Sequence, residues 1–104
     1  MDNDIFEVTK EKSEDLVKFL IKGRVNATNS EKLHDILKKT LVEGEKHIIL
    51  NMLWVEFLSS AGIRVILKTY QEINDLGGSF GIEMPSINVR NVLGMTALDD
   101  ILIK

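Results

Sequence analysis

The most informative segment of the chain reads Phe57-Leu58-Ser59-Ser60-Ala61-Gly62-Ile63-Arg64-Val65-Ile66-Leu67. Before it, the short apolar run Ile48-Ile49-Leu50-Asn51-Met52 predicts a buried strand. Within and after it, apolar residues recur at helical spacing until Gly77-Gly78, which predicts the end of a helix. Ser59 and Ser60 are therefore expected at or just before a helix N-terminus, where unpaired backbone N–H groups and the helix dipole favour an anion.

Two strands and a helix are predicted upstream of that segment. Residues 5–9 alternate between apolar and polar side chains, and residues 16–22 follow after a charged turn, so the two strands are expected to pair antiparallel. Residues 23–27 are expected to break the strand pattern. Thr28-Asn29-Ser30 offers N-caps for a first helix, which Gly44 is expected to end.

The rest of the chain completes an alternating pattern of strands and helices. The remaining elements are predicted in the order: strand 47–52, helix 60–76, strand 79–83, a short helix after Pro85-Ser86, and a last strand at 100–103. The order ββαβαβαβ predicts an α/β fold, a single domain over residues 1–104 in which helices pack on a mixed β-sheet.

Composition and charge exclude several function classes. The net charge of −3 gives no electrostatic footprint for direct nucleic-acid binding, and the absence of cysteine excludes disulfides and thiolate catalysis. The acidic start Met1-Asp2-Asn3-Asp4 lacks the features of a signal peptide, and no apolar run reaches the roughly 18 residues of a membrane span. A cytoplasmic chain without membrane insertion is therefore expected.

No catalytic or metal site is predicted. The two histidines, His34 and His47, lack the carboxylate partners that a metal site needs, and each is expected in a surface or capping role. Ser59-Ser60-Ala61-Gly62 lacks the preceding glycine of a nucleophile elbow, and no histidine follows it. With no phosphate-binding glycine loop either, the sequence predicts neither an enzyme nor a cofactor.

The only tryptophan, Trp54, precedes the serine pair. The segment between the strand at 47–52 and the next helix is expected to be a loop in which Phe57 and Leu58 fill the core. Two interpretations of Trp54 remain open. It could fill the core beneath this loop, or it could form part of a partner surface, since tryptophan is enriched at interface hot spots.

These motifs, in this order and spacing, resemble the STAS domain family, and within it the bacterial anti-sigma factor antagonists. The resemblance covers nearly the whole chain. It rests on the stretch from second strand to first helix at 20–29, the central strand at 48–52, the serine segment at 57–66, Gly77-Gly78, and the closing residues 92–98.

The resemblance implies regulation by partner switching. The unphosphorylated antagonist would bind an anti-sigma factor that is itself a serine kinase, which frees the sigma factor. Phosphorylation of the loop serine would break the complex, and a serine phosphatase would restore it. The family's phosphoacceptor falls on Ser60, with Ser59 as its rival. Aspartate is frequent in the family at Ser59, Asn26 and Asn51, so this chain lacks those charges.

The resemblance also implies a partner-binding surface and leaves alternatives. The turns before the two main helices are expected side by side, so the partner-binding residues are predicted to be Arg24, Asn26, Ala27, Thr28, Trp54, Ser59, Ala61, Gly62 and Arg64. One alternative is a scaffold or adaptor STAS domain in a signalling or lipid-transport complex, without phosphorylation. Another is a nucleotide or small-molecule binder, although no base-stacking or phosphate-clamping motif supports it.

Overall fold

The described part of the chain forms four strands and three helices. A computed structural model describes residues 5–96 and 98–103; the acidic start at 1–4 and Ala97, both used in the sequence interpretation, lie outside the described residues. The elements are β1 (Phe6–Ser13), β2 (Leu16–Val25), α1 (Ala27–Val42), β3 (His47–Leu58), α2 (Ser60–Asp75), β4 (Ser79–Glu83), α3 (Ile87–Met95) and a 3₁₀ turn (Asp99–Ile101).

The sheet is mixed, as predicted. Its strand order is β1-β2-β3-β4. The β1–β2 pair is antiparallel, and its tight reversal places Glu14 at φ 54°. The β2–β3 and β3–β4 pairs are parallel and are joined through α1 and α2. Because β2 and β3 run in the same direction, both lead into their helices from the same edge of the sheet.

The core lies between one face of the sheet and the amphipathic helices. Every second residue of β2 from Val17 to Val25 is buried, the alternation expected of a strand with one covered face. The helices contribute the fully buried side chains Leu33, Leu37, Ile66, Ile73, Val89 and Leu93. Burial of each such side chain contributes about 1.5–3 kcal/mol to stability. The alternate β2 residues remain partly or fully exposed, so the opposite face of the sheet faces solvent.

Two irregularities in the β2–β3 pairing determine which β3 side chains face solvent. Near Leu20 and again after Gly23 of β2, β3 contains one residue more than its partner strand. An inserted residue exchanges the two faces of a strand for the residues that follow. The first insertion places Trp54 on the solvent-facing side, 60% exposed, and Val55 in the core, 1% exposed. The second insertion restores the original alternation, so Phe57 is 39% exposed and Leu58 is buried.

These irregularities overturn two predictions. The segment that contains Trp54 is not a loop but the second half of β3, which continues to Leu58. Phe57 does not fill the core, whereas Leu58, 4% exposed, does so as predicted. A strand with two inserted residues lacks the strict alternation by which strands are recognised in a sequence, and this explains both errors.

The second strand is longer than predicted. The expected break at 23–27 is wrong for its first three residues, because β2 continues to Val25. Parallel pairing with β3 continues as far as the Val25–Leu58 pair. This pairing satisfies the backbone hydrogen-bonding groups of residues 23–25, which favours a strand there over the predicted break. Gly23 permits this continuation because it adopts φ +99°, a conformation that favours glycine.

The last predicted strand is also wrong. Residues 100–103 do not form a strand; the 3₁₀ turn is followed by a single parallel bridge between Leu102 and Ile82. The turn places Ile101, 2% exposed, in the core. The order of regular elements is therefore ββαβαβα, with a four-stranded sheet.

Candidate functional site

The two turns that precede α1 and α2 lie side by side, as predicted. Val25 and Leu58 are the last residues of their strands and pair with each other. The backbone N–H of Ser59 donates to the carbonyl oxygen of Val25 at 2.9 Å. We call this edge of the sheet, residues 24–28 and 59–64, the serine edge. Both helices begin there, so it presents the N-termini of two adjacent helices.

Side-chain hydrogen bonds define the start of α1. The Asn26 Oδ1 atom accepts the backbone N–H of Asn29 at 2.8 Å, which makes Asn26 the N-cap in place of the predicted Thr28-Asn29-Ser30. The Asn29 side chain, 4% exposed, donates to the carbonyl oxygen of Arg24 at 2.8 Å. This bond ties the first turn of α1 to the end of β2, while Ala27 and Thr28 stay exposed.

The two serines occupy different environments. Ser59 is partly buried, and its Oγ atom accepts the N–H of Gly62 at 3.1 Å, so it is the N-cap of α2. Ser60 is the first residue of α2 and is exposed, and its hydroxyl forms no hydrogen bond within the described part of the chain. The Ser60 hydroxyl is therefore accessible from solvent, whereas that of Ser59 already has a structural role.

The first turn of α2 is held close to the strand ends. Gly62 is buried, and a Cβ atom at this position would lie 2.7 Å from Leu58 Cδ1 and 2.8 Å from Val25 Cγ1. Only a residue without a side chain fits here without displacing its neighbours. The close approach supports Ser60 and Ala61 on a rigid helix rather than on a flexible loop.

Cationic and aromatic groups surround the serine edge. The Arg24 guanidinium lies 4.6 Å from the centroid of the Phe57 ring, a cation–π contact. Arg64 is exposed on α2. The first turns of α1 and α2 contain no acidic residue, although the chain carries a net charge of −3. No acidic residue therefore lies within the serine edge itself, residues 24–28 and 59–64.

Apolar side chains extend this surface along β3. Trp54, Leu53 and Ile5 are 60%, 39% and 57% exposed and line one open groove. Trp54 was predicted as a candidate partner residue; Leu53, Phe57 and Ile5 were missed. The insertions in β3 determine which side chains around Trp54 face solvent, and the hydrophobic pattern contains no signal for those insertions. Ile5 lies outside β3, just before β1.

Asn51 lies apart from the serine edge. It is in the first half of β3, where its Nδ2 atom donates to Glu83 Oε2 at 3.2 Å and its Oδ1 atom accepts the N–H of Leu53 at 3.1 Å. Of the three positions where the family often has aspartate, only Ser59 and Asn26 lie at the serine edge, and both are helix N-caps.

The histidines occupy other places. His47 Nδ1 lies 2.8 Å from Ser79 Oγ at the opposite edge, where β3 and β4 begin. His34 lies on α1, in the groove between α1 and α2. Among residues 5–96 and 98–103, no three histidine, aspartate or glutamate side chains are grouped so that they could hold a metal ion.

In the same residues, no helix is long and apolar enough to span a membrane.

Alanine substitutions at the two serines are expected to differ in effect. Ser59→Ala removes an N-cap and should lower the free energy of unfolding by about 1 kcal/mol. Ser60→Ala removes an exposed hydroxyl and should change it by less than about 0.5 kcal/mol. Urea denaturation of both variants measures the difference. Equal losses of unfolding free energy in the two variants would contradict the assignment of Ser59 as the N-cap of α2.

Comparison with protein families and curated relatives gives consistent matches. The family model described as the STAS domain matches residues 7–104 of the chain. BtrV of Bordetella bronchiseptica, a candidate anti-sigma factor antagonist, is 27% identical over 86 residues, which cover 83% of this chain and 74% of BtrV.

Solved structures share the fold. An anti-sigma factor antagonist from Mycobacterium paratuberculosis superposes with a TM-score of 0.85 at 19% identity, covering 97% of this chain and 86% of that protein. The antagonist SpoIIAA in its unphosphorylated form gives 0.82 at 20% identity, covering 95% and 86%. The phosphorylated form of Bacillus SpoIIAA gives 0.77 at 19% identity, covering 95% and 89%.

Proposed function

The chain belongs to the STAS domain family, and on that premise we propose that it is a cytoplasmic anti-sigma factor antagonist that acts by partner switching. In its unphosphorylated form it binds an anti-sigma factor with serine kinase activity and so frees a sigma factor. Phosphorylation of Ser60 ends that binding, and a serine phosphatase restores it. The role is regulatory, and the chain itself performs no catalysis.

One observation carries the proposal: the exposed hydroxyl of Ser60 has no structural role. A kinase needs an accessible hydroxyl, and Ser60 offers one on the first turn of a supported helix. Ser59 is the weaker acceptor because its oxygen caps α2 and is partly buried. A serine at this point of the chain could also be explained by N-capping of α2 without any regulation. Ser59 fills that capping role, so it does not explain Ser60.

The proposed partner surface combines the serine edge with the apolar residues of β3. Its part at the serine edge is formed by Arg24, Asn26, Ala27, Thr28, Ser59, Ala61 and Arg64. Gly62, predicted as a partner-binding residue, is buried and supports this surface from beneath. Trp54, with Leu53 and Phe57 on the same strand, supplies exposed apolar area that would be buried on binding. Large aromatic side chains of this kind contribute most of the binding energy in many interfaces, with polar residues around them.

Phosphorylation would act on the interface and not on the fold. A phosphate adds about 1.5 to 2 negative charges and three acceptor oxygens. At the N-terminus of α2 these charges face backbone N–H groups and the positive end of the helix dipole, so the fold tolerates them. In a desolvated interface built around a neutral hydroxyl, the same charges are costly. The related SpoIIAA has been solved in both phosphorylation states.

Phosphosite mapping tests the proposal directly. The protein is isolated from its native host under several growth conditions, with phosphatases inhibited, and its phosphopeptides are identified by mass spectrometry. The expected result is phosphate on Ser60 in an amount that changes with conditions. Phosphate on Ser59 would overturn the choice of acceptor. If neither serine carries phosphate under any condition, the scaffold or adaptor function replaces partner switching.

A further inference from the structure

Arg64 is placed to interact with a modified Ser60. The two residues are separated by four positions on α2, the spacing at which side chains on a helix surface are neighbours. Both are exposed. Ser60 is at the first position of the helix and Arg64 follows one turn later, so an anion on Ser60 and the guanidinium would lie on the same side of the helix.

The Arg64 guanidinium has no ion-pair partner in the described part of the chain. It lines the groove between α1 and α2, where Glu31 and Asp35 of α1 are the acidic neighbours and Lys68 is a second cation. The first turn of α2 contains no acidic residue. Arg64 is therefore a cation near the N-terminus of α2, and the residue four positions before it on the same helix is Ser60 and not an acidic residue.

We propose that Arg64 pairs with the phosphate of phosphorylated Ser60 and so takes part in the switch; this rests on the function proposed above. A guanidinium and a phosphate form charge-assisted hydrogen bonds, often bidentate. The pair stabilises the dianionic phosphate. It also withdraws Arg64 from the partner surface, so a single modification changes two charges of that surface, the new phosphate and the existing cation.

Other cations are less well placed for this role. Lys68 lies eight residues after Ser60, about 12 Å along the helix axis, and is beyond direct reach of a phosphate there. Arg24 stacks on the Phe57 ring and would lose that contact by moving. Glu31 and Asp35 compete for Arg64 from across the groove, and a dianion on Ser60 is the stronger attraction because it carries more charge.

The test uses protein in which phosphoserine is incorporated at position 60 during translation, so that no kinase is needed. The second pKa of the phosphate is measured by ³¹P NMR titration. Because imidazole titrates in the same pH range as a phosphate ester, all variants carry His34→Gln, which removes the histidine of the groove. The compared variants are Arg64→Gln, Arg64→Lys and, as matched control, Lys68→Gln.

Arg64→Gln is expected to raise the second pKa of the phosphate by about 0.3 units. Arg64→Lys should restore most of the difference, and Lys68→Gln should shift the pKa by less than about 0.1 units. An unchanged pKa in Arg64→Gln overturns the proposal, and so does an equal shift in Lys68→Gln, which would indicate a non-specific charge effect. Because the phosphate is installed, neither result depends on whether the host phosphorylates Ser60.

Discussion

If the proposed function holds, the protein phosphorylated at Ser60 is expected to bind its anti-sigma factor kinase about a hundredfold more weakly than the unmodified protein, the equivalent of roughly 3 kcal/mol. Ser60→Asp should weaken this binding to a lesser degree. The reason is local. Ser60 is exposed at the serine edge, on the first turn of α2 and beside the turn that precedes α1. A charge placed there must be desolvated when the partner covers it, and any acidic group opposite adds repulsion.

The measurement is isothermal titration of a purified anti-sigma factor kinase from the same organism with each form. Ser60→Ala should bind like the parent protein, because it removes only a hydroxyl. Ser13→Asp is the matched control: Ser13 is also exposed but lies at the opposite edge of the sheet, where β1 ends. If Ser60→Asp and the phosphorylated protein bind as tightly as the parent, Ser60 is not the switch.

Thermal stability distinguishes this effect from unfolding. The phosphate meets the positive end of α2, and the Ser59 cap and the Gly62 packing remain in place. The melting temperature of the phosphorylated protein should therefore equal or slightly exceed that of the unmodified protein. A loss of binding together with a large fall in the melting temperature would point to damage of the fold.

Sequence reasoning located the serine pair because its signals are local. The start of α2 is marked by a capping serine followed by apolar residues at helical spacing, and both features depend on neighbours within one or two turns. The resemblance to the STAS family implied the adjacency of the two helix starts, which agrees with the rule that consecutive parallel strands lead to the same edge of the sheet. The Ser59 hydrogen bond to Val25 confirms that adjacency.

The apolar part of the candidate surface could not be found in the same way. Trp54 faces solvent because one extra residue in β3, relative to β2, precedes it, and a second extra residue before Phe57 restores the original alternation. That register is set by pairing between strands about 30 positions apart in the sequence, so no local pattern encodes it. The position of Arg24 in a strand instead of a turn has the same cause, because its pairing with Phe57 is long-range.

Gly23→Ala is expected to lower the free energy of unfolding by about 3 kcal/mol or more, a large part of the stability of a domain of this size. Gly23 adopts φ +99° within β2, and an added Cβ atom would lie 2.0 Å from the carbonyl oxygen of Ile5. That oxygen accepts the N–H of Arg24 at 2.8 Å. The backbone at Ile5, just before β1, would have to move away, because the obstacle is main chain and not a flexible side chain.

Gly44→Ala is the matched control for Gly23→Ala. Gly44 also has a left-handed backbone, at φ +94°, but no atom lies within 4 Å of the position that its Cβ would occupy. It should therefore show only the conformational cost, about 1–2 kcal/mol. Urea denaturation of both variants separates the conformational cost from the steric cost. Equal losses of unfolding free energy would mean that no steric clash occurs at Gly23. A larger loss in Gly23→Ala would confirm that the backbone at Ile5, just before β1, lies against Gly23.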